Sequence, residues 1–145
     1  MKYAYLYSLH SEKTRQRIEY QTILSSTETF SFVKNFYTDD INLYESFFIA
    51  LMKKNKCFGW AKISQGGTCR TVVDPKIVAK YAIDCLATGV ILCHNHPSGI
   101  LNPSREDIAL TNTLKKGLEL FSIKIIDHLI ISENDYYSFL DNGLI

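Results

Sequence analysis

Hydrophobic and polar positions divide the chain into short periodic segments. Residues 3–9 alternate aromatic with smaller residues, the period-two pattern of a strand. The polar run 12–17 reads as a loop, and a second short strand at 18–23 completes a hairpin. Ser25, three residues before Glu28, offers a capping box for a helix to about Tyr37. Residues 44–52 form a strand with Glu45, Phe47, Ile49 and Leu51 on one face. The turn Lys53-Lys54-Asn55-Lys56 leads into a partner strand at 57–64, an antiparallel hairpin. Asp74-Pro75 starts a helix, with Asp as N-cap and Pro in the first turn. Ile77, Val78, Tyr81, Ala82, Cys85 and Leu86 make its apolar stripe, and Gly89 ends it. A strand at 90–96, a Gly/Pro/Asn loop at 97–103, a helix from Ser104 to about Phe121 and a central strand at 123–131 follow. The order predicts an α/β (α+β) fold, a mixed sheet flanked by helices.

The length of 145 residues fits one domain, 1–145, large enough to bury a core without staples. Nine Tyr and eight Phe argue against disorder. No apolar run approaches a membrane span, and the N-terminus lacks a signal peptide, so the expected location is the cytoplasm without membrane contact. The formal net charge of +1 disfavours a nucleic-acid coat protein, while a local basic patch stays open. Cys57, Cys69, Cys85 and Cys93 stand singly, without the spacing of a zinc ribbon or a disulfide framework, and read as buried thiols. Trp60 and the Tyr-rich N-terminus read as core.

Chemistry concentrates in residues 94–107. His94 and His96 are two apart at a strand end, so both imidazoles project from one face, shared with Val90 and Leu92, either as a pair of metal ligands or as two partly exposed histidines at a strand end. Asp107 reads as the third residue of a helix capped by Ser104. It also lies on a stripe with Thr111, Leu114, Leu118 and Phe121, which turns it toward the sheet, where a carboxylate needs a partner. Two His and one Asp supply three ligands for Zn²⁺ and leave a fourth position for water, as a hydrolytic site requires. Glu45 is the candidate base; a strand-start Glu in water is the other reading. Asp127 and His128 are either groups that orient the ligands or a polar pair held by local hydrogen bonds. Asn95 and Ser98 shape the loop.

Glu45, His94-Asn95-His96-Pro97 and Ser104-Arg105-Glu106-Asp107 resemble, in identity and spacing, the JAMM (MPN+) metalloprotease pattern. His94-Asn95-His96-Pro97-Ser98-Gly99, Pro103-Ser104, Asp127-His128-Leu129-Ile130-Ile131 and Tyr136 to Phe139 resemble its RadC branch. The resemblance spans a core of 23–140, with 1–22 as an N-terminal hairpin extension. It implies a three-layer, JAMM/cytidine-deaminase-like fold. It further implies His94, His96 and Asp107 as Zn²⁺ ligands, Glu45 as general base and acid, and Ser104 as a donor to the oxyanion or water. The implied activity is a zinc metallopeptidase or isopeptidase acting on an unidentified peptide or protein. RadC-like proteins typically carry an N-terminal helix-hairpin-helix segment associated with DNA; residues 1–22 read otherwise, which weakens the alternative of a DNA-repair accessory protein. A non-catalytic MPN scaffold is the third reading, disfavoured because every ligand residue is present.

Overall fold

A computed structural model describes residues 21–37, 40–68 and 70–145. The hairpin expected at 1–22 lies outside them, apart from the two-residue strand β1 (Gln21–Thr22). The other elements are α1 (Ser26–Val33), continued by a 3-10 turn (Lys34–Phe36), β2 (Ser46–Lys53), β3 (Lys56–Gln65), α2 (Pro75–Asp84), β4 (Gly89–Asn95), α3 (Arg105–Glu119), β5 (Lys124–Ile131) and β6 (Tyr136–Ser138). They build one six-stranded sheet in the order β1-β3-β2-β4-β5-β6. Only β4 and β5 run parallel, and α3 is their crossover; the other neighbours are antiparallel. The α+β fold with a mixed sheet agrees with the sequence reading. No helix among the described residues is long and apolar enough to cross a membrane.

Strand alternation sorts the core into two layers. Phe48, Ala50, Met52, Ile91, Cys93, Leu129 and Ile131 face α1, where they join Phe32, Val33 and Phe36. Phe36 stacks on half-buried Trp60 at 4.9 Å and 8°, and Tyr37 meets Phe48 edge-on at 4.8 Å. Phe47, Ile49, Leu51, Val90, Leu92 and Ile125 face the other way, onto Val78 and Ala82 of α2 and Leu114 and Leu118 of α3. Cys57 and Cys93 are buried free thiols, Cys85 is only half-buried, and Cys69 lies outside the described residues.

The helix starts follow the sequence. Ser25 Oγ accepts from Glu28 N at 3.2 Å, although the Glu28 carboxylate reaches Leu24 N rather than closing the box on Ser25. Asp74 Oδ1 caps α2 through Lys76 N at 2.9 Å. The helix ends correct it. Helix α2 stops at Asp84, and Leu86, not a glycine, takes the left-handed conformation at φ 52°. Leu86 is therefore exposed rather than part of the buried stripe, and Ile77, in the first turn of α2, is exposed as well. Gly89 is instead the first residue of β4, where a Cβ would sit 2.7 Å from Ile126 Cδ1. Helix α3 ends at Glu119 and the chain turns through Ser122 at φ 57°, so Phe121 leaves the inward stripe and stands exposed.

Candidate metal centre

The site lies where β4 ends and α3 begins. His94 is fully buried in β4, with its ring stacked on Phe47 at 5.8 Å and 12°. His96 follows the last strand residue, and its N–H continues the pairing by donating to Ile131 O at 3.1 Å. Alternation puts both rings on the α2/α3 side, continuing the line of Val90 and Leu92. Across the loop, Ser104 caps α3 in a full capping box with Asp107: its hydroxyl accepts from Asp107 N at 3.1 Å, and its own N–H donates to Asp107 Oδ2 at 2.7 Å. The cap and the inward-carboxylate readings of Asp107 thus hold together, because Oδ2 serves the cap on the His96 side while Oδ1 turns to His94.

His94 Nε2 lies 3.0 Å from His96 Nε2 and 3.2 Å from Asp107 Oδ1; His96 Nε2 lies 3.7 Å from Asp107 Oδ2. His94, His96 and Asp107 form a group that could hold a metal ion. Its dimensions fit one: bonds of about 2.0–2.1 Å in a tetrahedron set donor atoms about 3.3 Å apart. Its chemistry fits as well. His96 Nδ1 donates to Ile100 O at 2.5 Å, and a carbonyl only accepts, so the Nε2 of neutral His96 carries a lone pair toward the group. Burial by itself would raise the Asp107 pKa. A hydrogen bond from His94 and its charge when that ring is protonated, with the hydroxyl and amide of Ser104, outweigh it and hold the carboxyl well below the usual range. A carboxylate and an imidazole lone pair meeting at this spacing suit a cation.

Two more predicted residues lie on the segments that lead into α3 and β2. Ser104 Oγ also donates to Asp107 Oδ2 at 2.7 Å, so its hydrogen is directed at the carboxylate. Glu45 precedes β2, which begins at Ser46 rather than at 44. The β2–β4 register pairs Phe47 with His94, and continued past the strand start it sets Glu45 level with His96 on the same face. The residue is pinned between Glu45 N–Gly67 O at 3.2 Å, Gly66 N–Glu45 O at 2.9 Å and Thr71 N–Glu45 Oε1 at 3.2 Å.

Asp127 and His128 separate. His128 Nε2 is 2.9 Å from His94 Nδ1, and His128 Nδ1 is 2.7 Å from Thr111 Oγ1. The His128 ring is fully buried, stacked on Phe139 at 4.5 Å and edge-on to Phe47. Burial, and secondarily the charge of His94 when that ring is protonated, push its pKa well below the histidine value. Asp127 points to the opposite face. There it accepts from Ser138 Oγ, Leu140 N and His128 N, an anchor for the C-terminal turn rather than a neighbour of the metal group.

Two residues gain weight that the sequence reading did not give them. Asn95 is fully buried and clasps the segment before β2: Nδ2 donates to Ile41 O at 2.6 Å and Tyr44 O at 2.7 Å, and Oδ1 accepts from Ser46 N at 2.8 Å. Its place between the two histidines, hence on the opposite face, was the available signal. Thr111, read only as part of a stripe, bonds His128.

A model of the RadC-like JAB domain matches residues 23–144. The chain is 46% identical over 102 residues to a UPF0758 protein of Flavobacterium johnsoniae, covering 70% of this chain and 44% of that one. It is 34% identical over 126 residues to a UPF0758 protein of Porphyromonas gingivalis, covering 86% and 55%. The chain thus spans about half the length of these curated relatives. With the family match over nearly all described residues, and the metal-type group at the positions of the motif, this chain belongs to the RadC-like JAB domain family.

Proposed function

We propose that this domain is a JAMM-type zinc hydrolase that cleaves amide bonds in a peptide or protein, as a metallopeptidase or isopeptidase does. The observation that carries the reading is the convergence of His94 Nε2, His96 Nε2 and the Asp107 carboxylate at 3.0–3.7 Å. Three ligands on Zn²⁺ leave a position open, the composition of a hydrolytic rather than a structural site. Bound there, Zn²⁺ supplies the Lewis acidity that acidifies water and polarises an amide carbonyl.

The chain's own groups do the rest. Glu45, level with His96, takes the proton of the attacking water and returns it to the leaving amine. The Ser104 N–H, which shares Asp107 Oδ2 with the Ser104 hydroxyl, keeps its 2.7 Å bond when that hydroxyl turns to the negative charge developing on the carbonyl oxygen, so the carboxylate is not released. Wholly buried His94 and half-buried His96 give the group a dry inner wall and an open outer one.

Metal analysis tests the reading. Zinc-loaded wild type is expected to hold about one Zn²⁺ per chain, and His96→Ala to lose most of it. Equal zinc in the two proteins would remove the ligand assignment and the hydrolase with it.

A further inference from the structure

A line of hydrogen bonds runs from the backbone of Asp107 through two side chains to the buried edge of His94. We propose that Thr111 and His128 are positioning residues that fix the tautomer of His94, so that its Nε2 presents a lone pair to the metal group. The inference rests on the reading of His94, His96 and Asp107 as ligands.

The direction of each bond follows from what each partner can give. The Thr111 hydroxyl donates its single hydrogen to Asp107 O at 2.7 Å. Toward His128 Nδ1, at 2.7 Å, its oxygen can therefore only accept, so Nδ1 carries the hydrogen. The ring of His128 is fully buried between Phe139 and Phe47, surroundings that keep an imidazole neutral. With its hydrogen on Nδ1, Nε2 is an acceptor, and the hydrogen in the 2.9 Å contact comes from His94 Nδ1. Neutral His94 then has its lone pair on Nε2, 3.2 Å from Asp107 Oδ1. His96 reaches the same tautomer by a shorter route, through Ile100 O. Two unrelated arrangements thus give the two histidines one polarity. The relay also explains why the third histidine of the cluster is no ligand: both its nitrogens are engaged.

The line begins on the helix turn that carries Asp107 and ends on a strand, at His94. Thr111 sits four residues after Asp107 on α3 and takes its carbonyl, so the element that carries the carboxylate ligand also sets the imidazole ligand. Groups that orient ligands in this way are worth about 10- to 100-fold in metal affinity.

The test compares wild type, Thr111→Val and Thr111→Ser. Histidine tautomers are read by two-bond ¹⁵N–¹H correlation in metal-free protein, above the pH range where imidazoles titrate. Zn²⁺ affinity is read by competition with a chelator. Wild type should show Nδ1–H at His94, His96 and His128. Thr111→Val, near-isosteric, removes the acceptor that holds the hydrogen on His128 Nδ1; His128 should turn to Nε2–H and His94 to the tautomer that faces Nε2–H into the site. Zn²⁺ affinity should fall about 10- to 100-fold, and Thr111→Ser should restore both readouts. Nε2–H at His94 in wild type overturns the relay. So does a Thr111→Val protein with an unchanged His94 tautomer, whether or not its affinity drops, since a drop alone is a packing defect. Wild type that takes up no Zn²⁺ would instead sink the metal reading, while the metal-free spectrum still decides the relay.

Discussion

The two faces of this sheet are built by the same strands and end differently. On the α1 side the line of β4 and β5 residues runs Ile91, Cys93, Leu129 and Ile131 and closes under Phe36, Phe48 and Trp60. On the α2/α3 side it runs Val90 and Leu92 and then changes character, to His94 and His128, met by Thr111 of α3. Both faces are dry. On the first, a polar group is inert: burial pushes the Cys93 thiol up to about 12, out of reach of thiolate chemistry. On the second, each buried polar group has a partner whose direction is fixed. Burial alone makes no site; it makes hydrogen-bond direction decisive where polar groups are placed.

The comparison is broken most severely through Glu45. If the α2/α3 face works and the α1 face holds, Glu45→Gln should cut amide hydrolysis about 10²- to 10⁴-fold, while zinc content and melting temperature stay near wild type. Measured on a peptide amide that wild type cleaves, undiminished turnover would remove Glu45 as base. The converse change is Phe36→Ala. Phe36 packs on Phe32, Phe48 and Trp60, and its loss should cost about 3–5 kcal/mol in chemical denaturation. Zinc bound per folded chain should not change. A Phe36→Ala protein that folds but loses zinc would show that the two faces are not separable.

Much of this division is legible in the sequence. Period-two alternation places His94 with His96, and the cap at Ser104 with the stripe of α3 turns Asp107 inward. The separation of Asp127 from His128 was not legible, and neither was the partnership of His128 with His94. The reason is a bulge. The parallel register steps from Val90–Ile125 to Ile91–Asp127, leaving Ile126 as an extra residue. Strict alternation from Ile125 would have put Asp127 on the metal side and His128 against α1. The bulge exchanges them, and without it no relay forms. Helix ends were misread for a related reason: Leu86 holds a left-handed position that sequence rules assign to glycine, while Gly89 is required by contact with Ile126 on the same bulge. One irregularity in β5 therefore accounts for both the misplaced pair and the misassigned glycine.

Asn95 tests whether the faces communicate. It lies between the two histidines but serves the segment that carries Glu45, through Ile41 O, Tyr44 O and Ser46 N. Asn95→Leu should leave those backbone groups unpaired at a cost of roughly 2–3 kcal/mol. It should also lower turnover more than zinc affinity, because Glu45 loses its footing while the ligands keep theirs. Equal losses in turnover and zinc affinity would mean that the clasp supports the whole strand end rather than the base.

The smallest effect sits at Asp127, the acidic residue the bulge sends to the α1 side. Burial raises its pKa, and the hydrogen bonds from Leu140 N, Ser138 Oγ and His128 N offset this only in part. A carboxyl with a folded pKa above its unfolded value stabilises the fold while protonated, below the unfolded pKa. That contribution is lost as pH rises through the folded pKa. At neutral pH the charged form is thus a modest burden. Asp127→Asn keeps an oxygen for the two backbone donors and removes the charge, and its amide can donate to Ser138 Oγ, so the expected change at pH 7 is within about 1 kcal/mol. The pH profile carries the sign: as pH falls below the carboxylate range, wild type should gain stability relative to Asp127→Asn. A gain in the opposite direction would mean that Asp127 is held as a stabilised anion, and that the α1 face, like the other, carries a functioning charge.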